Sequence, residues 1–208
     1  MTLHEAAHGY VAKRCGDDTA WKLGRVSFNP LRHVDTFGTI VLPALLLLTR
    51  APFLFGYAKP VPVRFDRLRN PRRDMIAVAA AGPGMNFLLA AISALLLHTV
   101  GAFPPAAGQW VFENLAHSIE LNVVLAIFNL IPLPPLDGGR IAVGLLPATL
   151  GAPLSRLAPY GMSILIGALI FLPLIAARTG THLDLLSEVV SKPAAAVMQA
   201  ILLLTGMH

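Results

Sequence analysis

Long apolar runs alternate with short polar and basic stretches along the chain. The run over residues 75–97 exceeds the roughly 18 residues that indicate a membrane span. The other runs are shorter or broken by proline, and they cover residues 37–49, 119–133, 160–177 and 194–205. The pattern predicts an all-α polytopic membrane protein, a bundle of about four to six transmembrane or re-entrant helices with short strand-like loop segments.

The first part of the chain predicts a helix end, a loop and a hairpin. Residues 1–14 predict the inner end of a transmembrane helix, and residues 19–36 predict short strands and turns rather than helix. Residues 37–56 contain too few uninterrupted apolar residues to cross about 30 Å of lipid. We expect a re-entrant hairpin bent at Pro43, and a full span is the alternative.

The rest of the chain predicts two crossings and an accessory region. The crossing over 75–97 is followed by residues 98–110, which lack Lys and Arg as external loops do, and residues 111–131 return inward. Beyond them we expect an accessory span over residues 160–177 and a polar loop over residues 178–193. Residues 194–205 form an apolar segment that is too short to span the membrane.

We expect one integral membrane domain over residues 1–208. Its site-bearing core covers about residues 2–147, and accessory C-terminal helices cover about residues 155–208.

Charge and composition support the membrane interpretation. The 208 residues are 55% hydrophobic and 13% charged, against about 25% charged in an average soluble domain. The net charge of +5 could indicate nucleic acid, but Lys and Arg cluster in loops 15–36 and 57–73, which flank apolar segments. We therefore expect a multi-pass protein of the cytoplasmic membrane, with both loops in the cytoplasm and no nucleic-acid partner. Cys15 is the only cysteine, which excludes an intrachain disulfide.

Prolines alternate with other residues over positions 58–63 of the second basic loop. Proline forbids helix and favours an extended residue before it, so we expect an extended segment at the membrane surface. Two interpretations stay open. Proteases bind cleavable segments as added strands, and a purely structural loop would show the same pattern.

The segment His4-Glu5-Ala6-Ala7-His8 brings two imidazoles and a carboxylate together. On a helix, positions i and i+4 lie on one face, so His4 and His8 can hold one ion between them. Glu5 lies beside that face and can take a proton from a water that attacks a carbonyl group, which is the metalloprotease use of H-E-x-x-H. A surface helix with two incidental histidines is the alternative, and the apolar neighbours of the motif disfavour it.

Two later segments carry polar side chains at membrane depth. The stretch Gly82-Pro83-Gly84-Met85-Asn86 permits close helix packing, and the Asn86 amide requires a partner in another helix or in a substrate backbone. Three prolines end the next crossing before Asp137. Non-helical backbone at membrane depth is tolerated only inside protein or beside water, so we expect Asp137 to line a cavity.

Through the motifs HEAAH, AKPVPV, GPGMN and NLIPLPPLDGG, this chain resembles the site-2 protease family of intramembrane zinc metalloproteases, in particular its compact prokaryotic members. The resemblance covers roughly residues 2 to 147. It implies that one zinc ion per chain is bound by His4, His8 and Asp137, and that Glu5 is the catalytic base. It further implies substrate-binding or site-supporting roles for Asn86, Asn129, Gly82 and Pro83.

The function that this resemblance implies is zinc-dependent cleavage of a peptide bond within or at the edge of a transmembrane segment. The substrates would be single-span membrane proteins in the lipid bilayer, as in regulated intramembrane proteolysis, with the active site toward the cytoplasm. Two other classes fit the same residues. They are a membrane metal or proton transporter lined by Glu5 and Asp137, and a non-proteolytic binder of membrane proteins.

The helix that carries the motif is short at its start. Residues 1–14 make only about 21 Å of helix at 1.5 Å per residue, against about 30 Å of hydrocarbon. We therefore expect on the order of ten or more further apolar residues upstream of Met1 in the native chain, which the upstream coding region would reveal.

Overall fold

The computed structural model describes residues 1–50, 56–168, 171 and 187–207. Every regular element in these ranges is helical, which confirms the predicted all-α class. The chain divides into two compact units, Met1–Gly82 and Pro83–His208, and the boundary falls inside one long helix. A single integral domain stays a prediction.

The first unit consists of short helices joined by loops. Its elements are α1 (Thr2–Arg14), α2 (Thr19–Lys22), a 3₁₀ turn (Pro30–His33), a π-helical stretch (Thr36–Val41) that continues as α3 (Leu42–Leu48), a second 3₁₀ turn (Phe65–Arg67) and the first part of α4 (Pro71–Leu97).

The prediction of short strands over residues 19–36 is wrong, because α2 and a 3₁₀ turn occupy this loop. The side chain of Asn29 accepts the amide hydrogen of Leu31 at 3.0 Å, and Pro30 stands at the first helical position. An Asn cap followed by Pro is a strong start for a helical turn, and this local chemistry outweighs the strand-like composition.

The two ends of the segment 37–56 lie close together. The helical stretch Thr36–Leu48 reaches only about 20 Å, less than the bilayer core. Past it, the amide of Tyr57 donates to the carbonyl of Gly38 at 3.0 Å, and the hydroxyl of Thr39 donates to the carbonyl of Tyr57 at 2.9 Å. The chain therefore returns to the point where the segment began, as a re-entrant hairpin requires.

The bend of this hairpin is not at Pro43, contrary to the prediction. Pro43 lies in the first turn of α3, where a missing amide hydrogen breaks no helical bond, and the helix continues to Leu48. Residues 51–55 lie outside the described part of the chain.

A buried carboxylate ties the end of α1 to the chain that precedes α4. Asp17 is completely buried and accepts hydrogen bonds from the amide of Arg64 at 2.7 Å and from the amide of Thr19 at 3.0 Å. Burial opposes ionisation of this side chain, but the bonds from Thr19 and Arg64 outweigh it, so the pKa of Asp17 lies below its ordinary value. Nearby, a small apolar core is formed by Ala12, Leu68 and Val78.

The second unit contains the rest of α4 and the C-terminal helices. They are a 3₁₀ turn (Val100–Ala102), α5 (Pro105–Asn129), α6 (Asp137–Leu145), α7 (Ala148–Arg156), a 3₁₀ turn (Ala158–Tyr160), α8 (described over 161–168), a π-helical stretch (Ser187–Ser191) and α9 (Lys192–Leu204). The predicted accessory span over 160–177 and the polar loop over 178–193 lie partly outside the described residues.

Within the described part of the chain, two helices, α4 with 27 residues and α5 with 25, are long and apolar enough to cross a membrane. They match the two predicted crossings. Small side chains on α4 permit close packing with α5 and α9, and the resulting core consists of Ala90, Ala94, Leu97, Ile119, Val123 and Ala194. With 13 residues, α9 is short for a span, as predicted.

Candidate metal centre

Helix α1 places two imidazoles on one buried face. His4 and His8 are one turn apart, and each is only 6% exposed. Their ring centroids lie 4.7 Å apart with the planes at 83°, and their ligating nitrogens lie within 4.8 Å of each other. Buried histidines in this relation are a suitable pair of donors for one metal ion.

A hydrogen bond from α4 fixes the ring of His8. Its Nδ1 donates to the carbonyl oxygen of Val78 at 2.6 Å. In that tautomer, Nε2 carries the lone pair that can ligate a metal ion. Metal-binding histidines commonly donate their second ring nitrogen in this way, which orients the ring and raises its basicity.

The Nε2 atoms of both histidines converge beside Gly82 of α4. A Cβ atom added at Gly82 would lie 2.5 Å from Nε2 of His4 and closer still to Nε2 of His8. Zinc binds imidazole nitrogen at about 2.0–2.1 Å. Because both Nε2 atoms lie so close to the same Cβ position, they are near enough to each other to bind one zinc ion. Gly82 therefore leaves room at the place where the two donors meet.

We expect Gly82→Ala to lower zinc occupancy strongly, because the new methyl group would push both imidazoles away from their common point. Gly84→Ala is the matched control, since a Cβ there meets nothing within 4 Å. The measurement is zinc per chain by elemental analysis of both purified variants. Equal zinc content in the two would show that the space beside Gly82 is not needed for the metal.

Glu5 lies beside the histidine face and is half-buried. Its Oε2 accepts the backbone amide of Val61 at 2.8 Å. A carboxylate held in this position next to two metal donors can accept a proton from an attacking water, as H-E-x-x-H chemistry requires.

In the second unit, Asp137 begins α6 and is 6% exposed. The chain before it is non-helical, and Gly138 and Gly139 allow close backbone approach, because a Cβ at either would collide with the backbone of residues 130–134. The guanidinium of Arg140 lies 4.0 Å from the carboxylate. The structure thus places a buried carboxylate at the start of a helix, and the role of Asp137 as third ligand stays a prediction.

The other predicted residues differ in their surroundings. Asn86 is 1% exposed, and neither atom of its amide group has a hydrogen-bond partner among the described residues. Asn129 instead donates to the carbonyl of Leu125 in its own helix at 2.9 Å. Pro83 is fully buried inside α4. The roles of all three stay predictions, and the unpaired Asn86 has the surroundings expected of a ligand-binding amide.

The sequence did not predict two hydrogen bonds at the centre. One joins the ring of His8 to the carbonyl of Val78, and the other joins the amide of Val61 to the carboxylate of Glu5. Both come from main-chain atoms of residues that are 56 or more positions away. The alternating prolines around Val61 predicted an extended segment, but no sequence signal indicated which side chain its amide would meet.

Comparison with known proteins gives a consistent assignment. A family model described as peptidase family M50 matches residues 1–120 and 105–174. YwhC of Bacillus subtilis (strain 168), named as a candidate zinc metalloprotease, is 38% identical over 200 residues, which cover 91% of this chain and 88% of the relative. Rip2 of Mycolicibacterium smegmatis, named likewise, is 30% identical over 138 residues, or 66% of this chain and 51% of the relative. No solved structure matches.

Proposed function

The chain belongs to peptidase family M50, the site-2 protease family, and we propose that it is an intramembrane endopeptidase of the H-E-x-x-H type. Members of the family are embedded in the membrane and the relatives are named as zinc metalloproteases, so the chain is a membrane zinc metalloprotease. The endopeptidase proposal is supported best by the Nε2 atoms of His4 and His8, which converge beside Gly82 with Glu5 next to them.

The zinc ion would be held by three side chains, those of His4, His8 and Asp137. Two neutral imidazoles and one carboxylate are a donor set typical of catalytic zinc, and three protein ligands leave a fourth coordination position. When bound, zinc supplies Lewis-acid chemistry that polarises the scissile carbonyl group. The buried surroundings of the two histidines limit access of bulk water to the donors.

Glu5 would move the proton during hydrolysis. Its carboxylate takes a proton from the attacking water as the oxygen bonds to the carbonyl carbon, and it then delivers that proton to the departing amine nitrogen. The peptide bond breaks, and one water is consumed. Asn86 would hydrogen-bond a substrate backbone through its amide group, which has no partner among the described residues.

The substrates we propose are single-span membrane proteins, cleaved within or at the edge of their transmembrane segment. A buried site in a chain whose helices α4 and α5 are long enough to cross a membrane favours a substrate that already lies in the bilayer. Cleavage of a single-span reporter protein by the purified, zinc-loaded chain is the experiment that tests this function.

We further propose that the site faces the cytoplasm of a cell membrane. Helix α1 ends at the basic pair Lys13 and Arg14, which favours the inner surface, and His8 lies only about 9 Å along the helix from Arg14. The loops 15–36 and 57–73 are then both cytoplasmic.

Single cysteines introduced in these loops, in a background without Cys15, should resist an impermeant thiol reagent applied from outside. A cysteine at Ala106, an exposed position of the predicted outer loop near Gly108, should react and serves as the positive control. Labelling of either basic loop from outside would reverse the proposed orientation.

A further inference from the structure

The extended segment 57–64 turns its amide hydrogens toward the rest of the first unit. Four of its amides donate hydrogen bonds of 2.7–3.0 Å. The amide of Tyr57 donates to the carbonyl of Gly38, and that of Lys59 donates to the carbonyl of His33. The amide of Val61 donates to Oε2 of Glu5, and that of Arg64 donates to Oδ2 of Asp17. Alternate residues 57, 59 and 61 thus use one side of the segment, as alternate residues of a strand do.

The opposite side of the segment is poor in donors. Its positions are Ala58, Pro60 and Pro62, and the two prolines carry no amide hydrogen. These three alternate residues offer an added strand at most one amide donor, that of Ala58, while their three carbonyl oxygens can still accept hydrogen bonds. Proline on an exposed edge is a recognised device against strand addition. This side therefore offers mainly carbonyl acceptors, and both interpretations of the segment stay open.

Val61 instead contacts helix α1 with both its amide and its side chain. The amide holds Oε2 of Glu5, and a Cβ placed on Gly9, one turn further along α1, would lie 3.1 Å from Cγ1 of Val61. Val61 is 7% exposed, so it is seated on the Glu5 and Gly9 side of the helix. No described residue donates to the other carboxylate oxygen, Oε1, which leaves that oxygen for a water.

We propose that the amide of Val61 positions Glu5 for proton transfer, so that segment 57–64 braces the base. A glutamate side chain has three rotatable bonds, and a hydrogen bond from a fixed backbone restricts it to one orientation. This inference rests on the proposed function, because it assigns the brace to the base of that reaction.

The test replaces Val61 by α-hydroxyvaline, which exchanges the amide N–H for an ester oxygen and keeps the side chain. The same replacement at Val63 is the matched control, because among the described residues the Val63 amide finds no acceptor. Both proteins are first checked for zinc content and thermal midpoint. At position 61 we expect kcat for a single-span reporter to fall about tenfold with KM within twofold, and at position 63 no change in kcat.

Three results would overturn the proposal. Unchanged kcat at position 61 would mean that the bond does not orient the base. A higher KM with unchanged kcat would mean that the Val61 amide acts in substrate binding and not on the base. A higher kcat would mean that the bond restrains Glu5. A wild-type protein that binds zinc and does not cleave would refute the proposed function instead.

A second measurement needs no activity. Hydrogen exchange of the Val61 amide, followed by NMR with labelled valine, should be slow in the wild type and in Glu5→Gln, whose amide oxygen still accepts a hydrogen bond. It should be at least tenfold faster in Glu5→Ala. Equal exchange in the wild type and Glu5→Ala would refute the brace whatever the chain hydrolyses.

Discussion

Glu5→Gln should retain one zinc ion per chain and lose cleavage by at least about 10²–10⁴-fold, the usual contribution of a general base. The replacement keeps the size of the side chain and an oxygen that can accept the Val61 amide, so the geometry around α1 is preserved. What disappears is the basic group that takes the proton from water. The variant therefore separates the chemistry of Glu5 from its structural contact.

The matched control is Glu120→Gln, the same chemical change at an exposed position of α5. It should leave both zinc content and cleavage near wild type. The pair also distinguishes a hydrolase from a metal or proton transporter, because a transporter has no peptide-bond cleavage to lose. Normal cleavage by Glu5→Gln would remove Glu5 as the base.

Asp137→Ala should lose zinc as well as activity, because it deletes a charged ligand and not the base. Loss of an outer-sphere partner typically weakens metal binding about 10–100-fold, and loss of a direct ligand should cost more. Zinc per chain after dialysis against a buffered zinc concentration measures the effect. The contrast with Glu5→Gln, which keeps its zinc, is the diagnostic feature.

Asp66→Ala is the control for Asp137→Ala, since Asp66 is an exposed aspartate paired with Arg64. It should keep full zinc occupancy and the wild-type rate. An Asp137→Ala protein with full metal content and normal turnover would show that the third ligand lies elsewhere in the chain.

The sequence predicted the features that depend on long-range composition or on strict local spacing. Hydropathy predicted α4 and α5 because a span needs a long apolar run, and the spacing of His4 and His8 predicted that they share a face of a helix. Local capping chemistry was underestimated. Asn29 and Pro30 start a helical turn where strands were expected.

The contacts that complete the centre could not be predicted, because they depend on how distant segments pack. The carbonyl of Val78 reaches His8 across 70 positions, and the amide of Val61 reaches Glu5 across 56. Main-chain atoms carry no residue signature, so no pattern indicates which of them will meet a side chain. Gly82 was among the predicted site residues, but its effect, space for two converging imidazoles, is visible only in three dimensions.

The most direct test of the central claim is one assay on the purified wild-type chain in reconstituted bilayers. Zinc per chain and cleavage of a single-span reporter are measured together, before zinc is chelated, after chelation and after zinc is restored. We predict one zinc ion per chain and a cut within or at the edge of the reporter's transmembrane segment, lost on chelation and recovered with zinc. Cleavage that persists without zinc, or a folded, zinc-loaded chain that never cleaves, would contradict the assignment.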